Sequence, residues 1–141
     1  MITVAVLAAA LLLPPGPTYP VPHDQQTYVK CVAQRESNNN PRSTNSRGGY
    51  RGMFQFSEAL ADGSTWMLLP WLATWHDQPK QFAKQLRATP MNRWPRNLQV
   101  AAMVTVLNAR GKWSGSHHWA GGRWTCKPGK AQRKVEEGSR T

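Results

Sequence analysis

Acidic side chains are scarce in this sequence, so each one is a candidate for acid–base chemistry. The chain has seven of them, against eighteen Lys and Arg. Six fall at expected helix starts, on one short helix or in a polar tail: Asp24, Glu58, Asp62, Asp77, Glu136 and Glu137. The seventh, Glu36, ends an apolar helical stripe, where a carboxylate is suited to protonate a glycosidic oxygen. On spacing alone, an ion pair with Arg35 or Arg42 is the simpler interpretation.

One helix and one polar loop must position Glu36. The spacing of Tyr28 and Val32 predicts a helix from Asp24 to about Glu36, and the Asp24 side chain is suited to cap its first turn. Residues 37–51 are rich in Asn, Ser and Gly, which are typical of turns, so a loop should follow. Glu36 is therefore expected at the edge of a cleft.

Residues 50–56, YRGMFQF, predict a short strand or hairpin arm after this loop. Gly52 would permit a close backbone approach there. Ser57 is expected to cap a short helix that Asp62 and Gly63 terminate.

The rest of the sequence predicts mostly helices. Residues 64–75 should form two short pieces, because Pro70 interrupts them. Residues 77–88 predict a helix capped by Asp77, with an apolar face made of Phe82, Ala83 and Leu86. A helix from Pro95 to a stop at Gly111 should form the core. Its apolar positions recur every three or four residues: Leu98, Ala101, Ala102, Val104, Thr105 and Leu107.

The two ends of the chain differ in composition from its middle. Residues 2–13 form an apolar run that fits a secretory signal, although no basic residue precedes it; a frayed apolar helix or a misassigned start is the alternative. Residues 14–22 predict a Pro-rich linker. The tail, residues 127–141, is basic and should be disordered. The predicted organisation is thus an N-terminal segment 1–22, one domain at 23–126 and the tail.

The two cysteines, Cys31 and Cys126, lie near the two ends of this domain. In an exported protein they should form a disulfide, whereas in the cytosol two buried thiols would be expected. The neighbouring His117 and His118 do not have the spacing of a structural zinc site. The sequence therefore predicts neither a metal nor a cofactor.

A net charge of +11 and seven tryptophans indicate an anionic environment and flat ligands. Nucleic acid, an acidic membrane surface and an acidic cell wall all fit. However, the basic residues are scattered along the chain and no nucleic-acid-binding motif occurs, so we expect no specific nucleic-acid partner. The apolar run is too short for a stable membrane span.

The pattern C-V-x-x-R-E-S, followed by an Asn- and Gly-rich loop, Y-R-G-M-F-Q-F and a later S-T-W, resembles the transglycosylase-like domains of the lysozyme superfamily. These include actinobacterial resuscitation-promoting factors and related wall-degrading phage proteins. The resemblance extends to the helix at residues 95–107 and to W-x-C at residues 124–126. The sequence differs from the resuscitation-promoting factors, whose cysteine directly precedes the Glu, because Cys31 lies five residues before Glu36, as in other members of the wider group. A Trp-rich insert containing Trp71 and Trp75 also separates Gln55 from the core helix.

This resemblance implies a mainly α, small lysozyme-like domain with a short β-like segment at the cleft and disordered termini. Glu36 matches the catalytic acid, and Ser37, Tyr50, Gln55 and Trp66 match substrate-binding positions. The implied substrate is peptidoglycan, cleaved at the β-1,4 bond between N-acetylmuramic acid and N-acetylglucosamine. A single carboxylate favours a lytic transglycosylase course over hydrolysis.

A wall-binding or virion-associated structural module without activity is the alternative. In either case we expect a monomer that is secreted or associated with the cell wall, of bacterial or phage origin.

Overall fold

Helix α5 (Arg96–Asn108) lies at the centre of the domain. A computed structural model describes residues 13–45, 47–110 and 115–129 of the protein. The buried residues of α5 lie on nearly all its sides: Leu98, Gln99, Ala101, Ala102, Met103, Val104, Val106 and Leu107. The prediction of a core helix here is confirmed. Its predicted stop, Gly111, lies outside the described residues, and the helix ends earlier because Ala109 is already extended.

Four further helices and one small sheet complete the described part of the chain. The helices are α1 (Gln26–Ser37), α2 (Glu58–Met67), α3 (Leu69–Leu72) and α4 (Pro79–Arg87). The strands β1 (Thr44–Asn45) and β2 (Tyr50–Arg51) pair antiparallel. Short 3-10 turns occur at His23–Gln25, Met91–Arg93 and Ser116–Trp119. The fold is therefore mainly α with one short sheet, as predicted.

Helix α1 ends immediately after Glu36 and Ser37. The next residue, Asn38, has a left-handed backbone (φ 55°), and its N–H donates to the Gln34 carbonyl at 3.0 Å. Short amide side chains tolerate this conformation, which satisfies carbonyls of the last helical turn. The predicted end of the helix is thus confirmed to within one residue.

The start of α1 differs from the prediction that Asp24 caps it. Asp24 lies in the 3-10 turn, and the residue before the helix is Gln25, whose side chain makes no capping bond. Gln25 is instead buried against α5, where its Oε1 accepts a hydrogen bond from Asn108 Nδ2 at 2.7 Å. This long-range amide pair fixes the entry to α1 without a capping carboxylate.

Strand β2 leads into a tight turn that packs on α5. Arg51 and Phe56 form an antiparallel bridge, so residues 52–55 close a small loop. Gly52 has φ +87°, and a Cβ at this position would lie 2.6 Å from Gln99 Oε1. The predicted hairpin arm and close backbone approach at Gly52 are therefore confirmed.

Helix α2 is longer than the sequence predicts. Ser57 caps it as expected, accepting from the Leu60 N–H at 3.2 Å, but the helix continues through Asp62 and Gly63 to Met67. Its inner face buries Ala61, Ser64 and Thr65 completely or nearly so. A helical glycine costs about 1 kcal/mol relative to alanine, and burial of this face outweighs that cost.

Helices α3 and α4 both begin with proline in the first turn, where its missing N–H is not needed. The predicted break near Pro70 is confirmed, as is the buried face of Phe82, Ala83 and Leu86. Asp77 does not cap α4; it lies two residues before Pro79, and its exposed carboxylate is 3.6 Å from His76 Nδ1. The prediction of an Asp77 cap was wrong because the chain is not yet helical at that point.

The segment before α1, residues 13–22, has no helix or strand, yet it packs on the domain. The Tyr19 hydroxyl lies 3.3 Å from Thr105 Oγ1, and its ring meets Trp71 edge-on at 5.1 Å. Trp75 in turn lies against Gly16 and Phe82. The Pro-rich stretch predicted as a linker is thus held against the core, while the apolar run up to residue 12 lies outside the described residues.

The C-terminal strap, which we define as residues 115–129, runs alongside α1 from its end towards its start, with Gly122 beside Arg35 and Gly129 beside Asp24. Cys126 is bonded to Cys31 with an S–S distance of 2.03 Å, across a separation of 95 residues. The predicted disulfide is therefore present. The tail predicted to be disordered lies outside the described residues from position 130 onward. No helix in the described part of the chain is long and apolar enough to cross a membrane.

Candidate active site

Glu36 lies in the last turn of α1, beside a fully buried arginine. The Arg35 side chain is 1% exposed and that of Glu36 is 25% exposed. Arg35 Nε lies 3.7 Å from Glu36 Oε2, which is an ion-pair distance. The carboxylate is thus held next to a fixed positive charge while part of it faces solvent. The expected pairing with Arg35 is present, and it does not remove Glu36 from the surface.

Arg35 also anchors the C-terminal strap. Its Nη1 donates to the Trp124 carbonyl at 3.1 Å, and its Nη2 donates to the Trp119 carbonyl. Gly122 passes so close that a Cβ there would lie 2.7 Å from Arg35 Cδ, and its φ of +95° favours glycine. The strap is therefore held beside Glu36 by hydrogen bonds to a charged donor as well as by the disulfide.

The strap and the end of α1 together form the two sides of an open cleft, which we call the Glu36 cleft. Its volume is about 610 Å³, within the range of roughly 300–1,000 Å³ that is usual for ligand sites. Its lining is Gln34, Arg35, Glu36, Ser37, Asn38, Ser43, Gly122, Arg123 and Trp124. Glu36 is the one carboxylate among these residues. The cleft therefore combines a single acid with several neutral polar groups, an arginine and an exposed indole.

Ser37 lines the cleft but is also part of its frame. Its hydroxyl oxygen is 2.7 Å from the Met53 carbonyl and 3.1 Å from the Ala33 carbonyl, and it accepts from the Asn40 N–H. These contacts tie the end of α1 to the turn after β2. Its predicted contact with substrate stays a prediction.

Gln55 does not line the Glu36 cleft itself but contacts Ser43, which does. Its Nε2 donates to the Gly52 carbonyl at 2.9 Å and lies 3.4 Å from Ser43 Oγ, which lines the cleft. Its backbone has φ +53°, uncommon for a residue that is neither Gly nor Asn. Gln55 thus supports the cleft wall through Ser43.

The buried side chain of Gln99 holds this wall against the core. Its Oε1 accepts from the Met53 N–H at 2.7 Å, and its Nε2 donates to the carbonyls of Pro41 and Trp94. These three bonds join the β2 turn, the polar loop and the segment just before α5 to the side chain of one residue of α5. Gln99 is a positioning residue that the sequence analysis did not single out, although a Gln within an apolar helix is a signal for it.

Three of the predicted substrate-binding residues do not line the Glu36 cleft: Gln55, described above, Tyr50 and Trp66. Tyr50 is 44% exposed on β2, and Trp66 is 47% exposed on α2. The Trp66 ring lies under the guanidinium carbon of Arg87, 5.4 Å from its centroid. Arg87 lines a separate, smaller cavity of about 120 Å³ that also contains Glu58 and Asp62. We call this cavity the Glu58–Asp62 pocket.

The strap supplies the cleft residues that the sequence analysis missed as site residues. Trp124 is 45% exposed in the Glu36 cleft, and Arg123 lies beside it. A signal for Trp124 exists in the sequence, since it lies two residues before Cys126, whose partner Cys31 lies five residues before Glu36. An exposed indole beside a carboxylate can stack on a sugar face.

The two histidines of the strap, His117 and His118, are neighbours in space as well as in sequence. The rings of His117 and His118 lie against one another, with centroids 4.0 Å apart, and Cys126 is committed to the disulfide. Within residues 13–45, 47–110 and 115–129, no three His, Cys, Asp or Glu side chains lie close enough to hold a metal ion.

No family model, curated protein or solved structure matches this chain.

Proposed function

We propose that this protein cleaves the glycan strands of peptidoglycan at the β-1,4 bond between N-acetylmuramic acid and N-acetylglucosamine. One observation carries the proposal: Glu36 is the single carboxylate among the described residues lining an open cleft large enough for a sugar. The sequence resemblance around Glu36 and residues 50–56 names the substrate. The net charge of +11 favours approach to an anionic wall.

In the proposed reaction Glu36 acts first as an acid and then as a base. It donates its proton to the glycosidic oxygen while the bond from that oxygen to C1 of the muramic acid breaks and positive charge develops on the ring. The C6 hydroxyl of the same sugar then forms a bond to C1. Glu36 accepts the hydroxyl proton, which restores the acid and leaves a 1,6-anhydro product. No second carboxylate and no external nucleophile is required.

The position of the other acids favours this single-carboxylate course over hydrolysis. A two-carboxylate glycosidase places its second acid on the opposite side of the same scissile bond. Glu58 and Asp62 line a different cavity, and neither lines the Glu36 cleft. The neighbouring charge of Arg35 and the polar groups of Ser37 and Asn38 would orient the substrate and the carboxylate.

The decisive experiment compares the native protein with Glu36→Gln on purified peptidoglycan. Removing the acid should lower the rate of muropeptide release by at least about 100-fold, the usual lower bound for general acid–base catalysis. Glu58→Gln serves as the matched control and should retain full activity, because Glu58 lies outside the cleft. Equal release by native protein and Glu36→Gln would exclude the proposed catalytic role.

Mass spectrometry of the products separates the two possible reactions. Anhydro-muropeptides are expected, and reducing muramic acid ends would instead indicate hydrolysis. Binding to insoluble peptidoglycan without any release, unchanged in Glu36→Gln, would support the alternative of a wall-binding structural module. Fractionation of the producing cells tests the further proposal that the protein is secreted or wall-associated. Light scattering of the purified protein tests the proposal that it is a monomer.

A further inference from the structure

A second large concavity lies where the connection from α4 to α5 meets the polar loop after α1. Its volume is about 810 Å³, and its lining includes Arg42, Arg93 and Arg96 together with Trp94 and Leu13 of the segment before α1. None of the described residues that line it is acidic. We call this concavity the arginine groove. It shares no lining residue with the Glu36 cleft and plays no part in the chemistry proposed there.

The positive charges of the groove have no carboxylate partners among the residues that the structure describes. The two ion pairs in the described part of the chain, Arg35 with Glu36 and His76 with Asp77, both lie outside the groove. Arg96 is held by neutral groups instead: its Nη1 lies 3.1 Å from Asn39 Oδ1, and its Nη2 lies 3.2 Å from the Asn39 carbonyl. Three like charges around one concavity repel one another unless an anion sits between them.

The three arginines of the groove differ in how firmly their side chains are held. Arg96 provides a charge at a fixed position, because its donors are tied to Asn39. All three arginines are exposed, and the side chains of Arg42 and Arg93 are able to adjust around a bound group. Guanidinium groups bind phosphate through paired, charge-assisted hydrogen bonds, and a concave site can hold more than one such group.

We propose that the arginine groove binds the phosphate groups of a flexible polyol-phosphate chain, for which poly(glycerol phosphate) is the probe. A nucleic acid is less suited because single strands are bound by stacking their bases on exposed aromatic rings. Trp94, the one aromatic residue among the described residues that line the groove, is 3% exposed, and its indole N–H donates to the carbonyls of Leu86 and Thr89. A flat anionic membrane would meet the rim of a concave site rather than its interior.

The proposal is tested by titrating labelled poly(glycerol phosphate) with the full chain. Arg42→Gln/Arg93→Gln should weaken binding by at least tenfold, because it removes the two adjustable guanidinium groups. The matched control is Lys80→Gln/Lys84→Gln, which removes the same charge from exposed positions of α4 outside the groove. This control should weaken binding by less than twofold. Thermal unfolding of both variants verifies that they fold.

Several results would overturn the proposal. Equal weakening in the two double variants would show a diffuse charge effect, and no binding by the native chain would remove the site altogether. Tighter binding to single-stranded DNA or to phosphatidylglycerol vesicles, lost in the groove variant, would assign the groove to another ligand class. Glu36→Gln should bind the polymer like the native chain, so failure of the catalytic proposal and failure of this one give different results.

Discussion

Two cavities lined by described residues contain carboxylates, and they differ in the property that matters for a sugar substrate. The Glu58–Asp62 pocket has two acids in about 120 Å³, whereas the Glu36 cleft has one acid in about 610 Å³. The first is too small for a saccharide and the second is not. In this fold, the space for a sugar beside a carboxylate, rather than the number of acids in a cavity, therefore distinguishes a candidate catalytic residue.

The two cavities also differ in how they are built. The Glu58–Asp62 pocket is lined by residues of α2, α4 and their flanking segments, which lie within one stretch from Arg51 to Trp94. The Glu36 cleft joins the end of α1 to a strap about ninety residues later, through Arg35 and a disulfide. Changes to the long-range connections should therefore affect the Glu36 cleft selectively.

The largest expected effect comes from removing the disulfide with Cys31→Ser/Cys126→Ser. Closing a loop across 95 residues contributes about 4 to 5 kcal/mol by the chain-entropy model, so the free energy of unfolding in urea should fall by about this amount. In native-state hydrogen exchange, protection of residues 115–129 should fall more than that of α2. Equal loss in both regions would contradict the selective role of the disulfide.

Two glycine substitutions give the next largest effect, and they should change the stability of the protein in opposite directions. Gly52→Ala should destabilise the protein by about 2 to 3 kcal/mol, because it strains a positive φ and forces Gln99 Oε1 away from the Met53 N–H. Gly63→Ala, in α2, meets open space and should stabilise it by up to about 1 kcal/mol. Urea midpoints measure both, and a neutral Gly52→Ala would show that the Gln99 contacts do not hold the wall.

A pair of exposed tryptophans gives the smallest effect. Trp124→Ala should lower kcat/KM on peptidoglycan by about tenfold, equivalent to about 1.4 kcal/mol of lost sugar stacking. Trp66→Ala removes an indole of nearly the same exposure, 47% against 45%, from outside the cleft. It should change kcat/KM by less than twofold. A larger loss in Trp66→Ala would restore the sequence-based placement of Trp66 at the substrate.

The sequence predicts those parts of the fold that depend on local signals. The end of α1, the cap at Ser57 and the apolar faces of α4 and α5 follow from turn chemistry and helical periodicity. The cap at Asp77 was wrong because Pro79, two residues later, opens α4. The cap at Asp24 was wrong because a tertiary contact sets that helix start: Gln25 pairs with Asn108. Local propensity carries no information about such pairs.

The candidate site could be predicted only in part, for the same reason. Glu36 is identified by its place at the end of a helix and by the pattern around it. Trp124 and Arg123 reach the cleft through contacts across more than eighty residues, which no local pattern reports. Trp66, which the resemblance matched to a substrate-binding position, lies beside Arg87 and does not line the Glu36 cleft.

The two hydrogen bonds from Arg35 to the strap have a consequence for the order of events in the cell. They join residues separated by 84 and 89 positions, so one wall of the Glu36 cleft is among the last parts of the domain to be synthesised. A nascent chain that has folded only as far as α5 presents Glu36 without Trp124, Arg123 and the disulfide beside it. The cleft is therefore complete only after the strap has been synthesised and has bound Arg35. A chain interrupted before the strap has no complete site.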